Sequence, residues 1–227
     1  MRNRLERFVT YSPMTSVELD SASDAFLTVL EYGQDIMESP GMQSEKRYLQ
    51  HGVTTTFEHS VAVAERAVRL ASLLGLSRRV DIRSLVVSGL LHDYFLYDWH
   101  AEEDWHRLHG FIHGRIACMN ARRDFGEEVV NDVVADSLIN HMYPLTNVPP
   151  KYLEGWLVSL SDKMCATSET VSPERFRADR RAEGDESLPD VPSLGPATAA
   201  ALALHAANSI GFIRSGAYRM RLALKSR

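Results

Sequence analysis

Apolar residues recur three and four positions apart through most of the chain, the spacing that gives an α-helix one buried face. Leu19, Phe26, Val29, Leu30 and Ile36 mark a helix from Ser16 to Ser39, closed by the Ser39-Pro40-Gly41 punctuation. Gln43 to Gln50 is long enough for one more short helix. From Thr56 the run FEHSVAVAERAVRLASLLGL predicts a longer helix, with Thr56 as its cap and Gly75 as its stop. Asp81 caps the next, whose apolar stripe through Leu85, Val86, Leu90 and Leu91 continues to about Tyr97. A loop rich in Trp, His and acidic residues spans Asp98 to Ile112. HGRIACMNARRDFG then reads as a helix with a small-residue face of Gly114, Ala117 and Ala121, ended by Phe125-Gly126. Glu127 to Met142 is amphipathic, with Val130, Val134, Ser137 and His141 on one stripe and Pro144 just beyond. NVPPKY turns the chain into a last strong helix, LEGWLVSLSDKMCATSE. Arg177 to Pro196 is charged and rich in Pro and Gly, as an exposed loop would be, and Ala197 to Leu224 is helical again by periodicity. No internal repeat and no alternating strand pattern is present, so the expected fold class is all-α.

Six polar residues follow in a regular order, most of them inside stretches that otherwise read as buried helix: His59, the doublet His92-Asp93, His113, His141 and Asp162. His59 shares its face with Val63, Ala67, Leu70 and Leu74, and at 3.6 residues per turn His92 and Asp93 both continue the buried sector of their helix. Unpaired imidazoles and carboxylates in such places are costly, and a shared metal centre would relieve the cost. The intervals along the chain are 33, 21, 28 and 21 residues. Each is about a helix and its return, so successive helices can each deliver one ligand to a common point.

Composition narrows the rest. A length of 227 residues with 44% apolar content suits one domain with a substantial core. A formal charge of −5, a pI near 6.0 and the lack of a long Lys/Arg run exclude a general binder of nucleic-acid polymers. Cys118 and Cys165 have no metal-binding or redox spacing and read as reduced core residues, which suits the cytoplasm. No signal-peptide core and no run of 18 apolar residues predicts secretion or a membrane span.

The ordered set resembles the HD-domain superfamily of metal-dependent phosphohydrolases, whose signature is a His, a later His-Asp doublet and a final Asp: here His59, His92-Asp93 and Asp162. The likeness covers about residues 50–170 of a single domain spanning 1–227. It implies a helical bundle of the HD type, with extra N- and C-terminal helices, 177–196 as an exposed loop and 197–227 as a C-terminal helical extension. Members with two further histidines between doublet and final Asp hold two metals, and His113 and His141 occupy those places. By that resemblance Asp93 bridges the ions, His59, His92 and Asp162 complete one, and His113 and His141 hold the other. Imidazole and carboxylate donors suit divalent Fe, Mn, Zn, Ni or Co, with Mg at a more oxygen-rich position. The implied activity is hydrolysis of a small phosphate ester or anhydride, nucleotide-like or otherwise, by a metal-bridging hydroxide.

Arg66, two helical turns after His59, Lys163, beside Asp162, and Arg115 are candidates to contact a phosphate. Many hydrolytic members carry a Lys four residues after the doublet His, where this chain has Leu96. The stretch YFLYDWH instead offers Tyr94, Tyr97 and Trp99, either as a pocket for a flat group or as core packing. His109, one turn before His113, competes with it as a ligand. His100 and His106 read as solvent-facing, His51 as lying near the pocket mouth and His205 as structural. Two other activities share the pattern: a mixed-valent di-iron oxygenase of the HD type, and a non-catalytic module that the metal organises. Ile210, Phe212 and Ile213 leave a homodimer seam open.

Overall fold

A computed structural model describes residues 24–101 and 108–171. The expectations for 177–196, for the terminal helix, for residues 16–23 and for His106 and His205 lie outside the described residues. Within them the chain forms seven α-helices and one small hairpin, so the all-α expectation holds. In chain order these are α1 (Asp24–Met37), α2 (Pro40–Ser44) running into a 3-10 turn (Glu45–Arg47), β1 (Leu49–His51), β2 (Thr54–Thr55), α3 (Thr56–Leu73), α4 (Ile82–Leu91), α5 (His109–Val129), α6 (Asp132–Asn140) and α7 (Leu153–Val171).

α4 is the axis of the bundle. Every residue from Ser84 to Leu91 is buried, which only a helix covered on all sides allows. α1, α3, α5, α6 and α7 all pack against it. The Asp81 carboxylate caps it as expected, accepting from Ser84 N. The Asn131 side chain caps α6 in the same way, accepting from Val133 N and Val134 N.

Several boundaries differ from those the sequence suggests, each for a local reason. α3 is capped by Thr55, not Thr56, because Thr55 and Glu58 form a reciprocal capping box. Residues 43–50 are not one helix. Ser39 caps a short helix begun by Pro40, which tightens at Glu45 and then extends into β1, paired antiparallel with β2 through a turn at Gly52 (φ 60°). α4 stops at Leu91, six residues short of Tyr97. Asn120 of α5 takes the carbonyls of Tyr94 and Phe95, and Leu96 turns left-handed (φ 64°). α5 begins at His109, inside the expected loop, and is interrupted at Gly126 (φ 77°), where the sequence puts its end. The helix expected from Glu127 shrinks to Asp132–Asn140, with Val130, Val134, Ser137 and His141 buried as its stripe requires.

Candidate metal centre

Each of the six singled-out residues is carried to one place by a different piece of the bundle. His59 stands one turn into α3, held by the Thr55 cap. His92 is the C-terminal cap residue of α4, and Asp93 follows as the chain leaves the helix. His113 lies on α5, whose next residue, Gly114, is so close to the Leu138 carbonyl of α6 that a β-carbon there would collide with it. This close approach sets His113 against His141, the cap residue at the end of α6. Asp162 projects from the middle of α7. All six are buried, none more than 7% exposed.

Donor atoms of five of them form two groups that share Asp93, one with His59 and His92 and one with His113 and His141, and Asp162 stands beside the first. On one side, His59 Nε2 lies 3.8 Å from Asp93 Oδ2 and 3.3 Å from Asp162 Oδ1, while His92 Nε2 lies 3.3 and 3.9 Å from the same two oxygens. On the other, Asp93 Oδ1 is 3.2 Å from His113 Nε2 and 3.7 Å from His141 Nε2. Donors held at about 2.0–2.2 Å from one cation, at right or tetrahedral angles, stand roughly 3–3.5 Å apart. Three of the six observed spacings fall within that range and the other three, at 3.7, 3.8 and 3.9 Å, stand just above it.

The imidazole orientations carry the stronger argument. Nδ1 of His92 donates to Gly89 O at 2.9 Å, that of His113 to His109 O at 2.8 Å, that of His141 to Leu138 O at 2.8 Å, and that of His59 to Glu169 Oε2 at 2.8 Å. With every Nδ1 proton spoken for, all four Nε2 lone pairs face the centre. Nε2 of His113 and of His141 meet at 2.9 Å, where two lone pairs repel unless a proton or a cation lies between them. Nε2 of His59 and His92 and Oδ1 of Asp93 are buried without a hydrogen-bond partner. A divalent ion on each side of Asp93 would satisfy them all, so the residues fit a metal pair.

Without cations, protons fill the role. Burial opposes charge on His59, but the Asp162 carboxylate 3.3 Å from its Nε2 and its hydrogen bond to Glu169 outweigh this and hold its pKa well above the usual range for histidine. Burial likewise opposes charge on His113, and Asp93 raises it. His141 is pushed down to about 3 by burial and by the charges of His113 and His92. Against the burial that would raise them, the charges of His92 and His113 hold Asp93, and those of His59 and Lys163 hold Asp162, well below the ordinary carboxylate range.

Of the two competing histidines, His113 enters the cluster. His109 stacks on it (ring centroids 4.5 Å apart) and meets the Tyr97 hydroxyl at Nδ1. Trp99 stacks on the far face of His109, whereas Tyr94 belongs to the core, its hydroxyl donating to Asp124. His100 is exposed, and His51 sets its ring edge against His59, its pKa lowered to about 4 by burial and by His59. Lys163 spends its ammonium on His141 O (2.9 Å), Ser159 O (3.2 Å) and Ser159 Oγ (2.9 Å), tying the end of α6 to α7. Arg66 lies against Cys165 in the α3–α7 contact, Arg115 is exposed, and among the described residues no hydrogen bond or ion pair joins either to the six.

Three residues at the centre were not anticipated. Glu169 orients His59. Gln50 of β1 donates to Asp93 Oδ2 at 2.5 Å while its carbonyl accepts from the Trp99 indole at 3.1 Å, which fixes which way the amide faces. Glu45 is fully buried nearby. Glu169 had a signal: it follows Asp162 by seven residues, two turns along the same face of α7. Gln50 and Glu45 had none, since only the hairpin brings them in.

Helices that surround a buried carboxylate and four inward-facing imidazoles define a metal-binding α-bundle. Residues 56–167 match the family model of the HD domain, so the chain carries an HD domain and belongs to that superfamily. HD domains bind divalent metals and form a superfamily of the metal-dependent phosphohydrolase type. No curated protein and no solved structure matches the chain significantly. No helix among the described residues is long and apolar enough to cross a membrane.

Proposed function

We propose that this protein is a metal-dependent phosphohydrolase of a small phosphate ester or anhydride, with two divalent ions (Fe, Mn, Zn, Ni, Co or Mg) shared across Asp93. His59, His92 and Asp162 complete one ion site; His113 and His141 complete the other. The observation that carries this reading is the common orientation of the four imidazoles, each with Nδ1 donating outward and Nε2 aimed at Asp93. When bound, such a pair supplies Lewis acidity, acidifies water and neutralises phosphate charge.

The chain's own residues do the rest. Glu169 keeps the His59 lone pair directed inward, and the Gln50 amide, braced by Trp99, restricts rotation of the Asp93 carboxylate. Lys163 and Ser159 hold His141 through its carbonyl, so Lys163 acts as a positioning residue, its donors being already engaged. Burial of the whole set excludes bulk water, which strengthens every charge interaction within it.

The test is phosphate release from a panel of nucleotides and phosphomonoesters by protein loaded in turn with Mn, Fe, Co, Ni or Zn. Turnover that disappears in Asp93→Asn is expected. Release by none of the loaded forms, with metal demonstrably bound, would refute the hydrolase. Oxygen uptake by the iron form alone would favour the di-iron oxygenase, a reading that gains weight from Leu96 standing where a substrate-binding Lys is common.

A further inference from the structure

Glu45 has zero exposure and neither carboxylate oxygen has a hydrogen-bond partner. A carboxylate removed from water without a partner costs several kcal/mol, and proteins seldom retain one without use for it. Its backbone is held firmly. Glu45 N donates to Met42 O at the end of α2, Glu45 O accepts from Tyr48 N at 3.3 Å, and Ser39 caps the helix from the other side. Gly41 is required in that turn, because a β-carbon there would overlap the Tyr94 hydroxyl. The segment is thereby pressed against the residue that follows Asp93.

This placement brings Glu45 within electrostatic reach of the centre. Burial raises its pKa well above the ordinary carboxylate range; the charge of Asp93 raises it further and that of His59 lowers it. It is not one of the grouped donors that could share an ion with the six. Five residues later Gln50 touches Asp93, so one short stretch of chain brings an amide and an acid to the same side of the cluster. Divalent ions held at Asp93 would invert the local charge and favour the ionised form of Glu45.

Resting on the phosphohydrolase reading above, we propose that Glu45 is a substrate-recognition residue. It receives a positively charged, hydrogen-bond-donating group of a phosphate monoester whose phosphoryl group lies at the ions. No described protein group satisfies either oxygen, and an ammonium would both satisfy them and balance their charge. The substrate class that follows is a zwitterionic phosphomonoester with an amino group a few bonds from phosphorus.

Binding tests this without turnover. The full chain, loaded with Mn(II), is titrated calorimetrically with inorganic phosphate and with the non-hydrolysable isosteres propylphosphonate and 3-aminopropylphosphonate, and the series is repeated with Glu45→Gln and with the apolar near-isostere Glu45→Met. The wild type is expected to prefer the amino phosphonate over propylphosphonate by about tenfold or more, the worth of one charge-assisted hydrogen bond. Both variants lose that preference while inorganic phosphate binds as before. No preference in the wild type, or a preference kept in both variants, would overturn the inference and leave the hydrolase standing. Failure of inorganic phosphate to bind to protein that holds two ions would overturn the phosphohydrolase reading and this inference with it.

Discussion

The two halves of the centre share Asp93 but are built from different chemistry. The His59/His92 half has a second carboxylate facing inward, Asp162, and a third, Glu169, behind His59. Among the described residues the His113/His141 half has no carboxylate beyond the shared Asp93, and its histidines lean on backbone carbonyls instead. Carboxylates raise the basicity of the imidazoles they hold and add negative charge, so the first half should bind a cation more tightly. The difference teaches that two ligand groups sharing one carboxylate can be unequal both in number, four residues against three, and in charge.

The largest effect that would break this comparison is Asp93→Asn. Loss of the shared carboxylate should weaken both sites by more than about 100-fold, because even groups that only orient a ligand cost 10–100-fold when removed. Elemental analysis of the dialysed variant should find essentially no bound metal. His141→Ala is expected to remove one ion and leave the other, giving one per chain. Glu169→Gln should weaken the His59 side by roughly tenfold or more and leave the second site alone, seen as the tighter of two calorimetric phases moving towards the weaker.

Proton linkage sharpens the same contrast. In the metal-free protein His59 and His113 have pKa values raised above the usual 6.5, so the stability they contribute is complete below 6.5 and is lost as pH rises through their folded values. His141, lowered to about 3, works oppositely: its contribution is present above 6.5 and is lost as pH falls towards 3. Cations must displace the protons on His59 and His113. Metal binding near neutral pH should therefore release protons and tighten as pH rises above 6.5, which calorimetry in buffers of different ionisation enthalpy would reveal. The smallest effect concerns the scaffold: Thr55→Ala should cost about 1 kcal/mol of stability by removing the α3 cap, read from denaturant midpoints.

How much of this was legible in the sequence depended on range. His59, His92, Asp93, His113, His141 and Asp162 were readable because each sits on an apolar stripe where a polar residue is conspicuous. Helix ends were less so. The early stop of α4 is imposed by Asn120, nearly thirty residues on, and no local propensity at Tyr94 or Leu96 announces it. Gln50 and Glu45 were illegible for the same reason. Their stretch reads as one more short helix, and nothing local announces the β1–β2 hairpin that folds Gln50 over the doublet. Lys163 and Arg66 were singled out by spacing alone as an anion grip. Packing engages Lys163 with His141, Ser159 and, at 3.8 Å, Asp162, and sets Arg66 against Cys165.

The most direct measurement is an anomalous-difference map from crystals of the protein saturated with Mn(II). The account predicts two peaks per chain, about 3.5–4 Å apart, with Asp93 between them, His59, His92 and Asp162 around one and His113 and His141 around the other. A single peak away from Asp93, or none at saturating metal, would contradict it.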